Sequence, residues 1–211
     1  MKIYNETQQK IADFLAGIPS LACGLGDKIT PCSIAALNLA LSGRLTDEVP
    51  DCASKVIGRW VISVQDACPA DIGRDNPVWR KCLPLLAGTG RDIELEKRRR
   101  DLILSCMWDR LAQIQPIADK RGYGKEWGEM CLLRTRESAI VARKAAYADA
   151  AAAAYAAAYA DADAYADAAA AAYAAAYAAA YAAICEFWVK ANPSGLLEQL
   201  VSIGYAEKVQ K

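Results

Sequence analysis

The sequence predicts an all-α protein: a compact multi-helix body, one long Ala/Tyr-rich helix and a short C-terminal helix. Three observations carry this prediction. Apolar residues recur at threes and fours through most of the first 115 positions. No sustained alternation of valine, isoleucine or threonine marks a strand. The stretch from Ala145 to Ala183 is almost wholly alanine, tyrosine and aspartate, with no β-branched residue between Val141 and Ile184.

In chain order, Ile11, Phe14, Leu15 and Ile18 give residues 3–18 one apolar face, broken by Pro19 and by Gly24 and Gly26. Thr30-Pro31 reads as a helix start, a capping hydroxyl followed by proline. Cys32 to Leu41 is apolar on most sides, which predicts a buried helix stopped by Gly43. Asp51 is placed to cap a helix from Cys52 to Ala67, where Val56, Ile57, Trp60, Val61 and Val64 form the inner face. Asn76-Pro77 repeats the start signal for a short helix through Trp79 and Leu83, bent or shortened by Pro84. Asp92 to Gln115 is amphipathic, with Leu95, Leu102, Ile103, Cys106, Met107, Leu111 and Ile114 inward. Its Glu94, Lys97, Arg98, Arg99 and Asp109 are assigned to solvent.

After the Arg121-Gly122-Tyr123-Gly124 turn, proline is absent until Pro193. Leu132 to Ala191 is therefore expected to run as one helix, about 90 Å long at about 1.5 Å per residue. Asn192-Pro193-Ser194-Gly195 stops it, and Leu196, Leu197, Leu200, Val201 and Ile203 form a last amphipathic helix. The expected domains are a body at 1–128, the long helix at 129–191 and the short helix at 192–211.

Within the alanine block, Ala146 to Tyr159 recurs letter for letter at Ala164 to Tyr177, eighteen residues on. At about 100° per residue this spacing is roughly five whole turns, so each repeated side chain returns to the same face. Tyr147, Tyr155, Tyr159, Tyr165, Tyr173, Tyr177 and Tyr181 then share less than half the circumference. Such a band suits packing on the protein's own helices, or docking of a protein partner or a second copy, because tyrosine brings large area and a polar tip. Ice binding by the Ala-rich helix is a further reading, against which stands the lack of a threonine ladder. Residues 168–185 carry no charge, yet alanine is only weakly apolar and no basic cluster flanks the run, so no membrane span is expected.

Lysine plus arginine total 25, as do aspartate plus glutamate. That balance argues against a nucleic-acid partner, which usually demands a basic excess. Histidine is absent, which removes the commonest metal ligand and general base and any Ser–His or Cys–His pair. The eight cysteines are widely spaced without a CxxC pair, and Met1-Lys2-Ile3-Tyr4-Asn5-Glu6 leads into a polar segment. Reduced, mostly buried cysteines in a cytosolic protein are expected, with no metal or cofactor.

Three other features bear on chemistry. Lys97 to Arg100 is the densest basic run, interleaved with Glu94, Glu96 and Asp101 as on a solvated helix face. Gly88-Thr89-Gly90-Arg91 has the glycines of a phosphate loop but neither its spacing nor its lysine–serine/threonine ending. Arg59, Trp60 and Arg91 are the candidate lining of a small-molecule or nucleotide pocket in the body. Asp47, Glu48 and Asp51 are candidates for a carboxylate-based hydrolase, although loop acids before a helix usually serve its amides.

Cys32 to Glu48, then Ile57-Gly58-Arg59-Trp60, Leu83 to Arg91 and Pro193-Ser194-Gly195-Leu196-Leu197, with the alanine block between, carry a resemblance. Together they resemble a group of uncharacterised proteins from bacteriophages and their bacterial hosts, with a long Ala-rich C-terminal helix and no established activity. The resemblance implies a bacterial cytosol and a phage or mobile-element role, and transfers no catalytic residue. The expected function is a non-enzymatic accessory protein that works through protein contacts or self-association.

Overall fold

The computed structural model describes residues 5–90, 92–113, 115–135, 137–146, 148 and 188–204. Among them the secondary structure is helical, apart from one isolated antiparallel bridge between Gly26 and Pro31. The all-α class holds. Two compact units form, one from Met1–Ile103 with Cys185–Lys211 and one from Leu104–Ile184. The division thus falls within a helix, well before residue 128, and the C-terminal helix belongs to the first unit.

In the first unit, α1 (Glu6–Ala16) opens on a reciprocal capping box. The Gln8 amide donates to Asn5 Oδ1 at 2.9 Å and the Asn5 amide to Gln8 Oε1 at 3.2 Å. Ile11 and Leu15 are buried along its inner face. The end of α1 finds a tertiary donor: Arg80 donates to the oxygen of Leu15 in the last turn and to that of Ile18 just beyond the helix.

Helix α2 (Ser33–Ser42) is buried along most of its length, as its apolar run predicts. Its cap is Cys32, whose Sγ accepts the Ala35 amide at 3.3 Å, and not Thr30 as expected. Thr30-Pro31 belongs to the loop before it, where Asp27 Oδ1 accepts the amides of Ile29 and Thr30. Those bonds lower the Asp27 pKa. Gly43 ends α2 in the left-handed region at φ 72°, with open space where a Cβ would stand. Gly43→Ala is therefore expected to cost about 1–2 kcal/mol from backbone conformation alone, read as a lower urea midpoint at unchanged slope.

Helix α3 (Lys55–Ala67) starts later than Asp51 would place it. Residues 50–53 close a turn, with the Ala53 amide on the Pro50 oxygen at 3.0 Å, which leaves the Asp51 side chain 85% exposed beside Lys55. Ser54 is the cap: its Oγ accepts the Ile57 amide at 3.1 Å, while Glu96 Oε2 accepts the Val56 amide at 3.0 Å.

Asn76 and Pro77 begin α4 (Pro77–Cys82) as the sequence predicts, the Asn76 side chain accepting the Val78 amide at 2.9 Å. Pro84 ends the α-form, and the chain tightens into a 3₁₀ helix at Leu83–Gly88 that buries Leu83, Pro84, Leu85 and Leu86.

Helix α5 (Ile93–Ala112) follows, with Asp92 Oδ1 accepting the amides of Glu94 and Leu95. Leu95 is buried, and Leu102 and Ile103 pack on the core.

The second unit continues through α6 (Gln115–Lys120), α7 (Gly124–Leu133) and helical residues 137–146, here α8. Gln115 Nε2 bridges Asp119 Oδ1 at 2.7 Å and the Gly124 oxygen at 2.8 Å, which ties α6 to α7. Trp127 Nε1 donates to the Leu111 oxygen at 2.9 Å.

No helix runs on from Leu132. Arg134 closes α7 in the left-handed region at φ 53°. Thr135 and Ser138 then form a new cap, with the Ser138 amide on Thr135 Oγ1 at 3.2 Å. Most of the expected long helix, at 147 and 149–187, lies outside the described residues, and its last residues, 188–191, are helical.

The first unit is completed by α9 (Pro193–Ser202), capped by Asn192 through the Gly195 amide at 3.1 Å. Leu197, Leu200 and Val201 are buried, and the helix packs on α3 and α4. Among the described residues no helix is long and apolar enough to cross a membrane. The uncharged run at 168–185 lies outside them.

Candidate functional site

The seven tyrosines of the proposed band, Tyr147, Tyr155, Tyr159, Tyr165, Tyr173, Tyr177 and Tyr181, lie outside the described residues. So does Arg91 of the candidate pocket. Its two companions do not converge. Arg59 is exposed, while Trp60 is half-buried with its ring 5.8 Å from that of Trp79. Adjacent positions on a helix point apart, and here one faces solvent and the other the core.

The Gly88-Thr89-Gly90 loop has its polar groups committed within the protein. Thr89 is buried; its Oγ1 accepts the Ser54 amide at 2.7 Å and donates to the Leu86 oxygen at 2.7 Å. The Gly90 amide donates to the Cys52 oxygen at 3.1 Å. These bonds fix the start of α3 and leave the Thr89 hydroxyl and Gly90 amide no anion to cradle.

Asp47, Glu48 and Asp51 are not gathered into a site. Asp51 is exposed beside Lys55, and Glu48 is held only through its backbone. Asn38 pins their loop, its amide donating to the oxygens of Thr46 and Glu48 at 2.8 Å each. Among the described residues no group of three or more His, Cys, Asp or Glu could hold a metal ion.

Of the described cysteines, Cys32, Cys68 and Cys82 are buried, Cys52, Cys106 and Cys131 are half-buried, and Cys23 is exposed; none of them is joined in a disulfide. The expectation of mostly buried thiols thus holds in part. Burial pushes the Cys52 thiol up, and also that of Cys131, where the Arg134 charge opposes it. Both thiols therefore stay protonated at neutral pH, the unreactive form.

The strongest departure from the sequence reading is Arg99. It is 1% exposed inside the first unit, not on a solvated face. Nη1 donates to Glu96 Oε1 at 2.9 Å and Nη2 to the Ile203 oxygen at 3.1 Å, while Nε has no partner. Since Glu96 also accepts the Val56 amide, this pair joins α5 to the start of α3 and the end of α9. Lys97, Arg98 and Arg100 do not share that burial, in keeping with a solvated face.

Arg74 and Arg80 carry no signal in the sequence beyond their positions, yet both are central to the first unit. Arg74 donates to the oxygens of Leu21 and Gln65 at 2.9 Å each, while Arg80 pairs with Asp75 at 3.5 Å and caps α1. These arginines hold loops and helix ends that are distant in sequence; they are structural cations.

Two open cavities stand out among the described residues. One of about 270 Å³ lies in the first unit between α1 and α4, over Ala12, Leu15, Ala16 and Pro84 with Arg80 and Lys81 at its edge. The other, of about 220 Å³, lies in the second unit between α7 and α8, with Leu133, Val141 and three glutamates in its wall. Neither is lined by a residue of the candidate ligand or acid sets. Compared with known protein families, curated proteins and solved structures, the chain matches none of them.

Proposed function

We propose that this is a non-enzymatic accessory protein of phage or mobile-element type, active in the bacterial cytosol, whose work is done through protein contacts. The contact arm is the Ala/Tyr segment, read as a helix from its sequence. The observation that carries this reading is the letter-for-letter duplication at eighteen residues. A chemical site gains nothing from such a repeat. A contact surface does, because adding or losing one unit changes its length by about 27 Å while the tyrosines keep their face. The block also carries four aspartates and, from Ala145 through Val189, no lysine or arginine, so its charge has a single sign along its length. That favours a partner with basic residues around an apolar strip.

The test is to delete Ala146–Asp163, one in-phase unit, from the full chain. Affinity capture from infected bacterial cells and light scattering are then run on both forms. Loss of a captured partner, or a smaller assembly, is the expected result. Unchanged capture together with an unchanged mass would reject the arm.

A further inference from the structure

We propose that the α7–α8 groove of one protomer receives the exposed face of α5 from a second copy of the chain. The groove is apolar at Leu133 and Val141 and is ringed by Glu126, Glu129 and Glu137. None of these three carboxylates has an ion-pair partner among the described residues. Glu126 and Glu137 stand in the first turns of their helices, where the amide ends favour negative charge. Glu129 has no such local reason to be there. Leu132, Leu133, Ile140 and Val141 are 81, 53, 43 and 51% exposed, an apolar surface continuous in sequence with the groove wall. An apolar strip rimmed by unpaired acids fits a helix that brings apolar side chains together with cations.

The chain itself carries that face. Ile93, Lys97, Arg100 and Leu104 fall at intervals of four, three and four along α5, which stacks them on one side of the helix. All four are exposed, Ile93 by 82%. Lys97 has no partner among the described residues, and Arg100 pairs only with its neighbour Asp101 at the surface, at 3.1 Å. Two cations between two apolar residues complement two apolar residues ringed by acids. A net charge of zero means that bringing two copies together costs no overall repulsion.

The contact joins different surfaces of the two copies. It is therefore heterologous, leaving one free groove and one free α5 face on every dimer, and growth continues until a ring closes. It uses no residue of the Ala/Tyr block, so it stands or falls separately from the function proposed above.

Light scattering and sedimentation on the full chain test it through a charge swap. The weight-average mass should rise with concentration above the 22.7 kDa of one chain at low ionic strength. It should return toward that value at about 1 M salt, where the screening length is about 3 Å. K97E/R100E and E129K/E137K each present like charges on both surfaces, and each alone should stay at the mass of one chain. Mixed one to one, they should associate again, since the reversed cations of one variant now meet the reversed acids of the other. An unchanged far-UV dichroism spectrum and a cooperative melt well above the measuring temperature check that each variant is folded. A wild-type chain that stays monomeric at low salt overturns the proposal, as does self-association that survives either variant. Failure of the mixture to associate overturns it too.

Discussion

Replacing Arg99 with methionine is expected to destabilise the protein by about 3 kcal/mol, at the lower end of the cost of breaking a buried ion pair. Methionine fills much of the same space, so the loss comes from the partners left behind. Glu96 keeps the Val56 amide but loses the guanidinium at 2.9 Å, and its side chain is only 19% exposed. The Ile203 oxygen loses its Nη2 donor. Arg99 Nε is already without a partner, so removing it relieves a small existing cost, which is why the lower end of the range applies. Glu96→Gln alone leaves the arginine charge buried and should also destabilise, although glutamine can still accept from Val56. The double variant E96Q/R99M buries no unpaired charge. It should be more stable than the sum of the single losses predicts by about 1–2 kcal/mol, within the usual range for neighbours in one network. Urea unfolding of the four forms gives the cycle. Strict additivity would mean that the two side chains act independently.

Arg99 also shows where the sequence is legible and where it is not. It stands four residues after Leu95 and three before Leu102, inside the apolar stripe of α5. The period alone places it inward, whereas its charge favours solvent, and here the period wins. What makes the position tolerable is a carboxylate one turn earlier and a carbonyl at the end of α9, that of Ile203. That carbonyl is 104 positions away in the chain.

Local signals read well wherever the partner is also local. The Asn76–Pro77 start, the Gly43 stop and the Pro84 break each depend on a few neighbouring residues, and each is found where the sequence puts it. The two misplaced caps are decided by contacts outside the capping pattern. Ser54 displaces Asp51 because Thr89 and Glu96 hold the amides around it, and Thr30 gives way to Cys32 because Asp27 draws it into a loop. The break before α8 mixes the two cases. The Thr135–Ser138 cap is a readable pattern, whereas an arginine in the left-handed region at position 134 has no sequence signature. Of the candidate site, Arg59 and Trp60 adjoin in sequence, and helix geometry turns that adjacency into separation.

Trp79→Ala is expected to cost about 3–5 kcal/mol, at least as much as the loss of Arg99. The indole is fully buried and lies 5.8 Å from Trp60. It also starts a buried polar relay. Nε1 donates to Ser33 Oγ at 3.1 Å, and the Ser33 amide donates to Gln65 Oε1 at 2.9 Å, with Ser33 and Gln65 both buried. One side chain thereby ties α4 to α2, and Gln65 ties α2 to α3. Size and hydrogen bonding separate through two further variants. Trp79→Phe keeps an aromatic ring but leaves the serine hydroxyl without its donor, so it should cost about 1–3 kcal/mol on that account besides the lost volume. Ser33→Ala in the wild-type chain should destabilise because it strands the indole N–H. In the Trp79→Phe chain the same change should be close to neutral, because a buried site with both polar partners removed carries no unmet bond. Urea midpoints of the wild type and these variants decide it. An equal cost for Ser33→Ala in both chains would show that the indole serves α2 by filling space and not by its hydrogen bond.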